Sequence, residues 1–263
     1  MKAVFLREMK LNFKSLLIWS LTVGGMGLAC ILLYQNMQSD MKEMADMFSN
    51  MGAFSDAFGM STLSIATLEG FFATEVGTVH GLGSGMFAAI ITIGIISKEE
   101  ERHSGEFLLS LPISRDKAAA AKGLCVLGMM IAFTLICAVL YLIGFAMLSE
   151  DVSTAEFADF MLKQFIMNLE IAGVCFFISA LSDKIKTGAG LGLAMIFYVY
   201  DVIGRVVPDL KDYLYFGPYS YANASEIFSG AEPCTKGLVV AAVVTVAFIV
   251  AAFWVYDHRD LKS

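Results

Sequence analysis

The sequence contains few charged residues for its length. Asp, Glu, Lys and Arg make up 16% of the 263 residues, whereas an ordinary soluble domain carries roughly 25%. Hydrophobic residues make up 57%, and the mean hydropathy is +0.70. This composition excludes a soluble domain. It predicts an all-α membrane protein of one transmembrane domain, with room for about six spans of about 20 residues.

The motifs of a self-sufficient enzyme are also missing. The chain has no Gly-Lys dipeptide, so it holds no Walker A loop for nucleotide phosphates. It has no HExxH zinc helix, no GxSxG elbow and no nucleophile beside a candidate base. We therefore predict that the chain has no catalytic residues and no cofactor of its own.

The sequence also lacks a basic patch and lacks paired loop cysteines. The first absence argues against nucleic acid as a partner, and the second argues against an intrachain disulfide. The net charge is −7, and no basic patch with interleaved aromatic residues is present, as a nucleic-acid surface would require. Four of the five cysteines fall in predicted spans, and Cys234 alone falls in an outer loop. No pair of loop cysteines is available for an extracellular disulfide.

Apolar runs divide the chain into six predicted spans. They cover residues 15–34, 77–97, 123–148, 164–181, 187–207 and 237–256. The intervals 35–76 and 208–236 are predicted extracellular interfacial segments, and 149–163 is a short acidic outer loop. With the N-terminus inside, thirteen Lys and Arg lie on the cytoplasmic side and five outside. This bias predicts that both termini face the cytoplasm of a bacterial-type cell membrane.

Residues 1–14 have the pattern of an amphipathic helix. Phe5, Met9 and Phe13 recur every four residues, while the basic residues lie on another face. Such a segment lies in the membrane interface with its basic residues towards anionic lipid headgroups. We therefore predict an interfacial helix that precedes the first span.

Methionines recur at helical spacing in the first outer segment. The apolar positions are Met37, Met41, Met44, Phe48 and Met51. Thioethers suit Cu(I), but methionine stripes are far more often adaptable packing surface. We therefore predict an amphipathic helix at the outer interface and no metal site.

The longest charged interval between two spans is residues 98–122. It opens with Glu99-Glu100-Glu101-Arg102, which we expect to be solvated. Phe107, Leu108 and Leu111 then share one face of a short helix, which Pro112 ends. That apolar face predicts either a docked soluble partner or contact with lipid headgroups.

The same interval resembles the cytoplasmic loop of ABC-2 type transporter permeases. That family carries the pattern E-E-x-x-G-T-x-E-F-L-L-S-x-P-[VI]-S-R, and this chain supplies Glu99-Glu100 and the unbroken run from Glu106 to Arg115. It departs from the pattern at His103-Ser104-Gly105, where the family often has Gly-Thr. The resemblance covers about residues 96–122.

The resemblance implies that this loop holds a coupling helix seated in a cleft of a separate ATPase subunit. The implied coupling residues are Glu99, Glu106, Phe107, Leu108, Leu111, Pro112 and Arg115. It further implies the ABC-2 (type V-like) fold, with residues 1–14 as the elbow helix, and a dimer of two permease subunits. Two ATPase copies would bind ATP and Mg²⁺. Relatives export drugs, antimicrobial peptides, lipids and glycans, and we favour an amphipathic peptide, drug or lipid-like molecule.

Three charged residues interrupt the predicted spans. Glu170 lies in the fourth span, and Asp201 and Arg205 lie four residues apart in the fifth. Charges in a bilayer face protein or water because lipid does not solvate them. They indicate either the polar lining of a substrate path or a structural ion pair locking the fourth and fifth spans.

Two other classes of function remain open at the level of sequence. An ion-coupled secondary transporter would use Glu170 and Asp201 as proton carriers, and such transporters usually contain internal repeats, which we do not find. A membrane scaffold or immunity protein would bind a partner and transport nothing.

Overall fold

The computed structural model describes residues 1–58, 60–101, 114–148 and 152–259. All regular secondary structure in these ranges is helical. The long helices are α1 (Lys2–Ser49), α4 (Gly77–Ile93), α6 (Arg115–Leu148), α7 (Thr154–Leu181), α8 (Thr187–Val206) and α10 (Thr235–His258). The short ones are α2 (Ala53–Phe58), α3 (Leu68–Phe71), a π-helix (Phe72–Val76), α5 (Lys98–Glu101), a 3₁₀ helix (Pro208–Phe216) and α9 (Ala224–Phe228).

Six helical stretches are long and apolar enough to cross a membrane. Five of them are the long helices other than α4, and the sixth joins α3, the π-helix and α4 into one stretch, Leu68–Ile93. The prediction of an all-α membrane protein with six spans is confirmed.

Two helices begin earlier than the hydrophobic runs that predicted them. α6 begins at Arg115 and α7 at Thr154, eight and ten residues ahead of the predicted spans. The Ser153 hydroxyl accepts a hydrogen bond from the Glu156 amide and caps α7, as an N-cap serine does. The prediction that 149–163 is a loop is therefore wrong from Thr154 onwards. Glu156, Asp159 and Lys163 lie on the first turns of α7, whose apolar residues Phe157 and Phe160 pack into the core.

The N-terminal segment and the first span form one continuous helix. α1 runs without a break from Lys2 to Ser49, which corresponds to about 72 Å at 1.5 Å per residue, more than twice the roughly 30 Å of a bilayer core. Near its start, Val4 and Phe5 pack against Ala118 and Ala121 of α6. Residues 2–14 are helical, as predicted, and α6 extends far enough to support the first turns of α1. Their position in the membrane interface stays a prediction.

The predicted outer segment 208–236 folds back against the helices. The stretch of chain that links the 3₁₀ helix to α9 is buried at Tyr219, Tyr221 and Ala222. The Gln164 side chain donates a hydrogen bond from Nε2 to the Ala222 carbonyl at 2.8 Å, so α7 satisfies a backbone group that would otherwise be buried without a partner. The segment closes one end of the bundle.

An aromatic cluster forms the core beneath that end. Phe72, in the π-helix, is fully buried, and its ring contacts five other rings at centroid distances of 5.2–6.1 Å. These rings belong to Tyr141, Phe145, Phe157, Phe160 and Phe228. Helices α6, α7 and α9 therefore all contact the Phe72 ring, and this shared contact fixes them around the start of the second span.

Candidate functional site

Four separate parts of the chain meet at the end of the bundle opposite the 208–236 segment. The Lys98 ammonium at the start of α5 pairs with Glu8 of α1. The Glu101 carboxylate accepts a hydrogen bond from the Ile185 amide, between α7 and α8, at 2.9 Å. Arg259, after α10, pairs with Glu100 of α5. The four parts that the charge bias assigns to the cytoplasm therefore converge at one end.

We call this set of side chains the basal charge network. Its members are Arg7, Glu8, Lys98, Glu99, Glu100, Lys122 and Arg259. α5 supplies three of the seven members and contacts α1, α6 and the end of α10 through them. A four-residue helix is thus the common point of the network.

The turn after α4 is what places α5 among these partners. α4 ends at Ile93, and residues 94–97 form a buried turn. The Ser179 hydroxyl of α7 accepts hydrogen bonds from the amides of Ile96 and Ser97 at 3.0 and 3.3 Å. The Ser179 side chain thereby satisfies two backbone N–H groups that have no partner within α4. These two hydrogen bonds hold the turn against α7.

The centre of the network is a buried ion pair between Glu99 and Lys122. Lys122 is 1% exposed and Glu99 is 4% exposed. The Lys122 ammonium contacts the Glu99 carboxylate and donates a second hydrogen bond to the Ile95 carbonyl at 2.7 Å. Arg7 approaches the other Glu99 oxygen at 3.6 Å. Paired and hydrogen-bonded in this way, two opposite charges can be buried together.

The expectation that the start of this interval is solvated is wrong for two of its three glutamates. Glu100 is 7% exposed, because Arg259 covers it, and Glu99 is covered by Lys122. Glu101 alone is exposed. The sequence showed three adjacent acids next to a span, and the tertiary fold supplies a cation to each buried one.

Arg115 stabilises the end of the last helix. Its guanidinium donates a hydrogen bond from Nη1 to the Arg259 carbonyl at 2.7 Å and approaches the Tyr256 carbonyl at 3.4 Å. Unpaired carbonyls at a helix C-terminus attract cations. α6 and α10 are joined in this way at the point where α6 begins.

The coupling residues between these anchors lie outside the described residues. They are Glu106, Phe107, Leu108, Leu111 and Pro112. Of the residues predicted for coupling, the structure describes Glu99 and Arg115 alone. Both contact other parts of the same chain, and they mark the two ends of the undescribed interval.

The intramembrane charges lie towards the opposite end of the bundle. Arg205 donates from Nε to Asp201 at 2.8 Å and from Nη2 at 3.1 Å, and it also pairs with Glu226 of α9. The Asp201–Arg205 pair is therefore formed within one helix and extends to the 208–236 segment.

Glu170 belongs to a separate contact. Its carboxylate accepts a hydrogen bond from the Tyr221 hydroxyl at 2.8 Å. Burial raises the pKa of the Tyr221 phenol, and the neighbouring Glu170 carboxylate raises it further, so the hydroxyl keeps the proton that it donates. No direct bridge between Glu170 and Asp201 or Arg205 occurs among the described contacts; both sites are tied instead to the 208–236 segment.

Replacing Asp201 by Asn is expected to reduce stability, because the Arg205 guanidinium then keeps one carboxylate partner, Glu226, which is 41% exposed. Hydrogen bonds to buried charged groups contribute about 1.5–3 kcal/mol, and we expect a loss of about that size. Adding Arg205→Gln should restore part of it. Asp209→Asn, in the exposed part of the 3₁₀ helix, is the control.

Equilibrium unfolding in micelles measures this loss, and a transport assay on the same proteins separates the two interpretations. Loss of transport at unchanged stability favours a lining of the substrate path. If every variant keeps both stability and transport, Asp201 and Arg205 have neither role.

Of the seven members of the basal charge network, sequence reasoning singled out Glu99 alone, and Glu8 and Lys122 are the two most deeply buried of the others. Glu8 is the only acid in a basic N-terminal segment, and it is fully buried. Lys122 is the last charge before an apolar run, so the sequence predicts only the end of a loop there. For Glu8, the sequence does hold one indication of a buried ion pair: it is a single acid among basic residues.

In the parts of the chain that the structure describes, no group of three or more His, Cys, Asp or Glu is placed to hold an ion. The geometry offers a mechanical connection among the segments of the basal charge network and a separate set of polar contacts at the other end of the bundle.

Comparison with known proteins identifies the family. The model of the ABC-2 family transporter proteins matches residues 3–261, which is nearly the whole chain. No curated protein matches the chain. The match agrees with the six helical spans and with the loop motif from Glu99 to Arg115. The chain therefore belongs to the ABC-2 family of transporter proteins.

Proposed function

We propose that the chain is the permease subunit of an ATP-driven exporter and couples to a separate ATPase through the interval 98–122. The observation that carries this proposal is the basal charge network. Both ends of the interval are fastened to the transmembrane helices by polar contacts: the buried pair of Glu99 with Lys122, and the partly buried hydrogen bond from Arg115 to the end of α10. A force applied between these ends therefore reaches the helices directly.

The basal charge network also determines which helices receive that force. α5 is paired with α1 through Glu8 and with the end of α10 through Arg259. Movement of the interval shifts the cytoplasmic ends of the first and last spans together. ATP-driven closure of the ATPase would thus rock the spans between inward and outward access.

The proposal gives the predicted coupling residues two different roles. Glu106, Phe107, Leu108, Leu111 and Pro112 would contact the ATPase. Glu99 and Arg115 would position the interval, because their side chains are already bonded to α6 and to the end of α10. Two ATPase subunits would bind ATP and Mg²⁺, and a second permease subunit would complete the path.

The exported molecule is proposed to be an amphipathic peptide, a drug or a lipid-like compound. The segments between spans at the outer end are built from the short helices α2 and α9 and the 3₁₀ helix. They pack against the bundle instead of forming a large domain for capturing a folded protein. A cargo that partitions into the membrane can reach the spans without such a domain.

Both termini and the interval 98–122 are proposed to face the cytoplasm of a bacterial-type cell membrane. A single cysteine at Ser104 should then be labelled by a membrane-impermeant maleimide only after the cells are opened. A cysteine at Ser153, at the other end of the bundle, should be labelled in intact cells. Both belong in a background whose five native cysteines are replaced. Labelling of both sites from outside would contradict six spans with this orientation.

The functional test is purification of the intact complex from native membranes. An ATPase without membrane spans should accompany the chain and hydrolyse ATP faster when cargo is added. Transport by the chain alone, driven by an ion gradient, would favour a secondary transporter instead.

A further inference from the structure

A small polar cavity lies between α4, α7, α8 and the 208–236 segment. It offers about 40 Å³ to the centres of water-sized molecules. The lining includes Gly77, Gly81, Gln164, Asp201, Tyr219 and Asn223. The coupling proposal does not use this cavity, which lies at the opposite end of the bundle from the basal charge network.

Two buried polar atoms on residues that line this cavity have no hydrogen-bond partner among the described residues. Gln164 is 2% exposed, and its Nε2 donates to the Ala222 carbonyl at 2.8 Å. That bond fixes the orientation of the amide, because a carbonyl accepts only from the NH₂ group. The Oε1 of Gln164 and the hydroxyl of Tyr219 are both buried without a hydrogen-bond partner among the described residues. Leaving such groups unsatisfied is costly.

The cavity is open at this point because α4 carries glycine there. A Cβ atom added at Gly81 would lie 3.6 and 3.7 Å from the nitrogen and oxygen of the Gln164 amide and 3.7 Å from Cε1 of Tyr219. These are ordinary van der Waals distances. A methyl group would therefore fit without a clash and occupy the space beside the Gln164 amide.

We propose that this cavity is a binding site for two or three ordered water molecules that hydrogen-bond Gln164 Oε1 and the Tyr219 hydroxyl. One water needs roughly 10–15 Å³ measured in this way and two to four polar partners, so 40 Å³ accommodates about three. Water fits the chemistry because the amide oxygen needs a donor, whereas a hydroxyl donates or accepts.

Other occupants fit less well. An anion would face the Asp201 carboxylate and the Gln164 carbonyl, which are both acceptors. The Asp201 charge is already matched by Arg205, so a cation would gain little from it. An apolar molecule would leave the Gln164 oxygen without a donor. The waters thus complete the polar contact among α4, α7 and the outer segment.

The sign of one stability change tests the proposal. Gly81→Ala in the full chain in lipid nanodiscs should lower Tm by about 2–4 °C, because the new methyl group displaces the water bound to Gln164. An empty cavity predicts the opposite sign, since a methyl group would fill it and alanine favours a helix over glycine. Gly192→Ala on α8, where an added Cβ meets nothing within 4 Å, is the matched control and should leave Tm equal or higher.

A second variant, Gln164→Met, tests whether the change in Tm caused by Gly81→Ala depends on the Gln164 amide oxygen. In a Gln164→Met background no amide oxygen remains to be dehydrated, so adding Gly81→Ala should no longer lower Tm. A rise in Tm for Gly81→Ala as large as that for Gly192→Ala would show that the cavity is dry and overturn the proposal. An equal drop in both backgrounds would also overturn it, because the loss would not depend on Gln164.

Discussion

Lys122→Met is expected to lower the free energy of unfolding by about 3–5 kcal/mol, the cost of removing one partner from a buried ion pair. The methionine keeps the length and apolar stem of the lysine. It removes the ammonium that contacts Glu99 and the Ile95 carbonyl. The Glu99 carboxylate then retains Arg7, at 3.6 Å and with a side chain that is 47% exposed, as a weaker partner. Equilibrium unfolding in detergent micelles measures the change.

Two comparisons make this result specific. Lys117→Met lies on the same helix, but Lys117 is exposed, so the same chemical change there should alter the unfolding free energy by less than about 0.5 kcal/mol. Adding Glu99→Gln to Lys122→Met removes the buried carboxylate charge that the Lys122 ammonium had balanced and should recover part of the loss. If Lys122→Met unfolds like Lys117→Met, the buried pair does not hold α5 against α6.

The number of spans could be predicted because hydrophobicity over about 20 residues is a strong local signal. The apolar runs within α8 and α10 located those helices to within a few residues at either end. The distribution of Lys and Arg also grouped the four basal segments, and the structure brings parts of all four together through Glu8, α5, Ile185 and Arg259.

Helix ends could not be predicted where polar residues continue a helix beyond the apolar run. α7 begins ten residues early because Ser153 caps it and Phe157 and Phe160 pack into the aromatic cluster. α1 continues through residue 14 because α6 supports its first turns. In both cases the deciding contact is tertiary, and hydropathy along the chain does not record it.

The basal charge network was hidden for a related reason. Glu99 and Glu100 follow a span directly, and by sequence alone adjacent acids at a membrane boundary are expected to face solvent. Their burial depends on Lys122 and Arg259, which lie 23 and 159 residues away. Pairings over such distances follow from the fold, whereas the local pair of Asp201 and Arg205 was visible in the i, i+4 spacing.

The most direct test of the coupling proposal is the double substitution Leu108→Ser with Leu111→Ser. In the predicted coupling helix, the spacing would place both leucines on one face with Phe107. Burying one such side chain contributes roughly 1.5–3 kcal/mol, so losing two should weaken association with the ATPase at least about tenfold. The spans are unchanged, so the variant should still insert and accumulate in the membrane.

Leu109→Ser is the control, because the same spacing places Leu109 on the opposite side of the helix. Co-purification of the ATPase from membranes is the measurement, with cargo-stimulated ATP hydrolysis recorded on the same samples. The coupling proposal predicts that the double variant loses both, while Leu109→Ser keeps both. A double variant that retains its ATPase and full stimulated hydrolysis would contradict it and would place this apolar face against lipid headgroups.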